Sequence, residues 1–190
     1  MRNSLFLSAA AAASLLLAGA ASAATVVPLA PFKSVGLQGG GSIVLRHGDV
    51  QRVTLLKGST DYTRFNIHGS SLNIEACNNS CPHDYDLEIE IVSPVIEGVA
   101  IQGGGEIKAQ GAFPAGGRLE AAVSGGGDID VRAIPAASVE AAVNGGGDIA
   151  TTATQALNAA VSGGGDITYY GNPQVNQAVS GGGSVTHAAP

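Results

Sequence analysis

Cys77 and Cys81, in the stretch CNNSCPHD, are the side chains with the widest chemical choice in this sequence. In an oxidising compartment a close, even-numbered pair reads as a disulfide. A loop of about five residues gains only about 2 kcal/mol from chain entropy, so such a bridge would tidy a loop without holding a fold together. The competing chemistry is a metal site built from Cys77, Cys81 and His83, with Asp84 as a further donor. A second pair of ligands at zinc spacing is missing, and the order of residues is not the CxxCH that attaches haem. The disulfide is the expected state.

Carboxylates form the second constellation. Six glycine triplets begin at Gly39, Gly103, Gly125, Gly145, Gly163 and Gly181, and the residues that follow them are Ser42, Glu106, Asp128, Asp148, Asp166 and Ser184. If successive repeats stack, Asp128, Asp148 and Asp166 fall into one column. Adjacent carboxylates about 4.8 Å apart repel by about 1 kcal/mol in water and by a few kcal/mol at a lower effective dielectric. Either Ca²⁺ offsets this, as an oxygen-ligated cation would, or each Asp accepts hydrogen bonds from glycine N–H groups in its own bend or faces solvent. The second alternative is favoured and no resident cofactor is expected. The calcium β-roll places GGxGxD in every nine residues, whereas here one Asp follows each triplet. A period of 18 residues, two nonapeptides, keeps Ca²⁺ open.

Catalytic constellations are not legible. His47, His68, His83 and His187 lie far apart, mostly in turns, and no nucleophile elbow, HExxH pair, phosphate loop or dinucleotide fingerprint occurs in its required context. Arg118 and Arg132 flank the repeats singly, so a small polysaccharide-acting enzyme is only an alternative. There is no Trp. Tyr169 and Tyr170 are adjacent, and alternation turns one of them outward as a contact residue. The column Gln38, Gln102, Ser124, Asn144, Ser162 and Ser180 is not the uniform Thr array that an ice-binding face would want.

The elements that must position these residues are strands. Aligned on their triplets, the last four repeats read VSGGGDI, VNGGGDI, VSGGGDI and VSGGGSV, and the last five triplets are spaced by 22, 20, 18 and 18 residues. Leu119, Ala121 and Val123 alternate with polar or small neighbours; so do Val139, Ala141 and Val143, then Leu157, Ala159 and Val161. Period two on both sides of each triplet predicts β-strands, and a fixed repeat predicts stacking. Glycine within a strand marks a bend or a close backbone approach, so the triplets are expected as corners, with Gly126 at a tight bend that a β-branched residue such as Val would break. A flexible glycine linker has no reason to keep its apolar residues in register. Upstream of Gly103, shorter alternating runs at 42–45, 50–56, 65–67, 72–76 and 87–92 are separated by the turn signals HGD, KGSTD and HGSS and by the cysteine loop. The expected fold is all-β, a single-domain β-solenoid: a right-handed β-helix with coils of 18–22 residues.

Address and charge narrow the class. Residues 1–23 carry Arg2, an apolar run from Leu5 to Ala18, and Ala21-Ser22-Ala23, the signature of a signal peptide. That run is too short for a comfortable membrane span, and no cysteine follows it for a lipid anchor. The remaining domain is 24–190. Without Arg2, eight basic side chains face fifteen acidic ones, a charge near −7. Such a chain has no footprint for nucleic acid or an anionic membrane.

Together the strands GGGSIVL, GDVQRVTLLKG, SSLNIEA and DLEIEIVSPVIEGVAIQGGGEI, followed by the VSGGGDI repeats, resemble the family called putative auto-transporter adhesin, head GIN domain, from about Phe32 to His187. The resemblance implies a β-helical fold in exported or surface-associated proteins of Gram-negative bacteria and brings no catalytic residues. No membrane β-barrel segment follows, which departs from an autotransporter. The chain is therefore expected to be an exported, non-enzymatic structural or adhesion-type module, located in the periplasm, on the outer surface or secreted. Its partner would be a surface protein or glycan. A calcium-stabilised solenoid is the alternative. A terminal coil exposes strand edges and the tail THAAP is a slender cap, so end-to-end self-association is also expected.

Overall fold

The computed structural model describes residues 24–78 and 80–189; the expected signal peptide, residues 1–23, lies outside them. Among the described residues there is no helix. Fifteen strands make one curled, open sheet: β1 (Thr25–Val27), β2 (Ser34–Gly39), β3 (Ser42–His47), β4 (Arg52–Lys57), β5 (Arg64–His68), β6 (Ser71–Glu75), β7 (Glu88–Ser93), β8 (Gly98–Gly103), β9 (Glu106–Gln110), β10 (Gly116–Gly125), β11 (Asp128–Gly145), β12 (Ile149–Gly163), β13 (Asp166–Tyr170), β14 (Gln174–Gly181) and β15 (Ser184–His187).

The sheet has two wings, one on each side of the glycine triplets. Before the triplets, β6, β2, β8, β10, the second half of β11, the second half of β12 and β14 lie parallel in that order. After them, β7, β3, β9, the first part of β11, the first part of β12, β13 and β15 do the same. Sequence repeats set the register: Val123 pairs with Val143 and Val143 with Val161, while Ile129 pairs with Ile149 and Ile149 with Ile167. Strands β11 and β12 run through the return bend at Ile134-Pro135 and Thr152-Ala153, and so join one wing to the other.

Alternation decides which side chains enter the interior. Leu119, Ala121 and Val123 are buried, whereas Glu120, Ala122 and Ser124 are exposed; β11 repeats this with Val139, Ala141 and Val143, and β12 with Leu157, Ala159 and Val161. Both wings feed one continuous core that also takes Phe32, Ile96, Phe113 and Ile134 from the return bends. Each Val, Leu or Ile so buried contributes roughly 1.5–3 kcal/mol relative to exposure, and no rung could bury its own side chains alone. Three polar side chains are buried as well, Thr63, Ser93 and Thr151, and of these Thr151 Oγ1 has no hydrogen-bond partner among the described residues.

Two features near the N-terminus depart from simple stacking. The first rung, β2–β3, is not terminal: β2 lies between β6 and β8, and β3 between β7 and β9. Beyond β6 and β7 the ladders switch direction, with β5 antiparallel on β6, β4 antiparallel on β7, and β1 antiparallel on β4.

The triplets make the corners, and crowding within them differs from expectation. All six leading glycines have positive φ, between 95° and 133°. At Gly145 a Cβ would also collide with the carbonyl oxygen of Gly125, one rung away. The third glycine is equally confined: a Cβ on Gly147 would strike Gly127 O and lie 2.7 Å from Val123 Cγ1. The middle glycine is the open one, with nothing within 4 Å of a Cβ on Gly126, Gly146, Gly164 or Gly182. The expectation that Gly126 sits at a tight bend with no room for a β-branched side chain is thereby corrected. The outer two glycines press against the next rung, whereas the middle one bonds to it only through its N–H and leaves its Cβ position open to solvent.

Candidate functional site

The cysteine pair forms a disulfide, with Cα atoms 6.0 Å apart. Its surroundings explain why a loop stands there. Ala76 N donates to Gln38 O and Ser42 N donates to Leu87 O, so segment 77–86 spans the β6–β7 rung where other rungs have three glycines. The Tyr85 hydroxyl holds the loop from inside: it donates to Ser59 O at 3.1 Å, accepts from Ser59 N at 2.9 Å, and lies 2.7 Å from Thr63 Oγ1. Thr63 Oγ1 in turn donates to Ala76 O. His83 and Asp84 lie on the exposed side of the loop. Among the described residues, no three His, Cys, Asp or Glu side chains gather at metal-binding distance, there or elsewhere.

The carboxylate column has a definite geometry. Asp166 N donates to Asp148 Oδ1 at 2.9 Å, and Ser184 N and Ser184 Oγ both donate to Asp166 Oδ1 at 2.8 Å. Each of these two carboxylates thus takes the backbone N–H of the residue one rung on, not of a glycine in its own bend. Asp128 is exposed, its own N–H bonded to Gly105 O. Charge-assisted bonds of this kind recover part of the repulsion that like charges in a column incur.

A cluster that the spacing did not reveal lies on the outer surface of the same wing. Arg132 Nη2 and Nε reach the two oxygens of Asp130 at 2.6 and 2.8 Å; Nη1 donates to Tyr170 Oη at 3.1 Å, and the guanidinium stands 5.3 Å from the Tyr170 ring centre. Hydrogen bonds from Arg132 hold the Asp130 carboxyl below the usual carboxylate range, and Asp130 raises the guanidinium in return. Arg132 and Tyr170 are 38 residues apart, and only stacking through Thr152 brings them together. Of the tyrosine pair, Tyr170 turns outward and Tyr169 packs against the core, its ring 5.1 Å from that of His187. His47 stacks edgewise on Phe113 at 5.7 Å, while His68 and His83 are exposed.

A further continuous feature is the outward side of the other wing. Ala100, Ala122, Ala142, Ala160 and Ala178 stand in one column, each next to its counterpart one rung away. Gln102, Ser124, Asn144, Ser162 and Ser180 border it on one side; Glu120, Glu140, Asn158 and Asn176 border it on the other. Short side chains between longer ones leave a shallow groove of about 500 Å³ with an apolar floor and hydrogen-bonding rims. Arg118 bridges the two glutamates of the rim, 2.6 Å from Glu120 and 2.8 Å from Glu140. The AAV or QAV before the last four triplets and the VAI before Gly103 hold this column in plain view, but only the stacked register turns its repetition into a floor.

No curated protein matches the chain. Among solved structures, a "putative adhesin" from Bacteroides fragilis NCTC 9343 is similar over 87% of this chain and 96% of its own, at 17% identity and a TM-score of 0.55. A second "putative adhesin", from Parabacteroides merdae ATCC 43184, covers 87% of this chain and 95% of its own at 15% identity, with a TM-score of 0.45. At such identity the first likeness concerns the fold alone. The sequence speaks more directly: residues 115–173, which hold the triplets at Gly125, Gly145 and Gly163, match the family described as "Putative auto-transporter adhesin, head GIN domain".

Proposed function

We propose that this chain is an exported β-solenoid that works without catalysis, as an adhesion-type module whose alanine-floored face rests against a partner at a cell surface. The observation that carries this proposal is the like-on-like register of that face. Five alanines and their polar borders repeat at strand spacing, which suits an extended, repetitive partner better than a small substrate. Support for the solenoid comes from the two parallel wings joined at glycine corners, and support for export from the disulfide and the adhesin family. The groups with displaced titration, Lys57, Asp130 and Arg132, are each displaced by their own surface ion pairs and hydrogen bonds, as structural pairs are.

In this proposal Asp148 and Asp166 are rung-to-rung hydrogen-bond acceptors, not calcium ligands. Excess EDTA should leave the melting temperature unchanged and added Ca²⁺ should not raise it; a rise of several degrees with Ca²⁺ would restore the metal alternative. The functional test uses the immobilised full chain against purified surface polysaccharides and extracellular-matrix proteins. Saturable binding to one of them should fall at least tenfold in Ala142→Lys with Ala160→Lys, two exposed positions, while the melting temperature stays put. Binding that survives those changes, or no binding across the panel, would refute the assignment of this face.

A further inference from the structure

The two ends of the stack are finished differently. At the end nearer the N-terminus each wing closes on an antiparallel strand, β5 on β6 and β4 on β7. The core there is sealed, and Val53, Leu55, Leu72 and Ile74 are at most 4% exposed. At the other end the rung made by β14 and β15 has no strand on its outer edge among the described residues. Val175 and Val179 are 39% and 44% exposed, whereas Leu157 and Val161, beneath them in the same columns, are 1% and 2%.

Strand edges in soluble proteins are ordinarily guarded by charge, by proline or by a bulge. Segment 174–187, QVNQAVSGGGSVTH, contains no Lys, Arg, Asp, Glu or Pro. The opposite end carries charge in its edge, with Arg64 in the outermost strand β5. One end of the molecule thus combines open core, unpaired backbone and unguarded sequence.

We propose that the β14–β15 rung docks onto the same rung of a second copy, giving a head-to-head dimer. A two-fold axis normal to the stack sets the abutting strands antiparallel, so both wings gain an antiparallel strand in one step. That is how the chain finishes its other end. A single extended segment from another protein would cover one wing and leave the other open. Gln177 occupies an inward column at this rung, over Ala159, and its amide both donates and accepts, so it can be satisfied by a polar group across the two-fold. Since the opposite end is sealed, the association closes at two copies instead of growing into a fibre. The contact is one rung of two strands on each copy, so the dimer should dissociate on dilution.

Sedimentation velocity on the full chain over a dilution series tests this directly. The expected result is a reversible monomer–dimer equilibrium, weakened at least tenfold by Val175→Lys with Val179→Lys and unaffected by Val26→Lys at the sealed end. Amide hydrogen exchange provides a variant-free readout: residues 174–187 should be more protected at high than at low protein concentration. A monomer at every concentration, a series of higher oligomers, a dimer indifferent to the Val175 and Val179 changes, or concentration-independent exchange at 174–187 would each overturn the proposal. None of these outcomes bears on the alanine-floored face, which lies on the side of the stack.

Discussion

Within one triplet, neighbouring glycines should answer the same substitution in opposite ways. Gly147→Ala forces a Cβ into Gly127 O and should cost about 3 kcal/mol or more, whereas Gly146→Ala meets nothing within 4 Å and should stay within about 0.5 kcal/mol of the parent in urea unfolding. The bend is legible in the sequence, but which glycine is crowded is not, because crowding comes from the next rung. The carboxylates teach the same lesson. Asp148→Asn keeps an oxygen acceptor for Asp166 N–H and should be near neutral, while Asp148→Ala should lose about 0.5–1.5 kcal/mol. Asp130 sets a pH dependence. Its carboxyl is held below the unfolded value by Arg132, so its contribution is fully present above the unfolded pKa of about 3.9 and is lost as pH falls through the lower folded value. The stability gap between the parent and Asp130→Asn should therefore be constant at neutral pH and close below about pH 4 in acid melts.

For a strand, period two is the rule, and adjacent alanines test it. Ala141 is 1% exposed and faces the core, whereas Ala142 faces solvent. Ala141→Glu should abolish cooperative unfolding, since it buries an unpaired charge between Ala121 and Ala159 in the core, while Ala142→Glu should melt within a few degrees of the parent by circular dichroism. This alternation is legible in the repeats themselves, because the inward and outward sides of each strand are fixed by its own residues. The closing strands β4 and β5 are less fully legible. Their alternation marks them as strands, but nothing local says that they run antiparallel to the wings they cover. The disulfide loop reads from sequence as a bridge of modest strength, yet its place as one rung's corner depends on Ala76 and Leu87 bonding to residues of the β2–β3 rung.

The molecule as a whole tests the stack. Removing residues 146–163 takes out one complete repeat and joins Gly145 to Gly164, which restores the corner GGGD and the register on both sides. If the chain is a sum of nearest-neighbour rungs, the shortened protein should still fold and unfold cooperatively, at a melting temperature lower by about 5 °C or more. Aggregation or loss of β structure in far-ultraviolet circular dichroism would show that the rungs are not interchangeable. The position of β2–β3 between β6–β7 and β8–β9 has a different kind of consequence, for the order in which the protein can be made. The β2–β3 rung finds its neighbour on one side only after β6 and β7 exist, and on the other only once Ser34 can meet Gly98. Assembly cannot simply zip in chain order: the β2–β3 rung must wait, half-sandwiched, for a partner translated more than sixty residues later, and any fault in that delay falls on a rung already made.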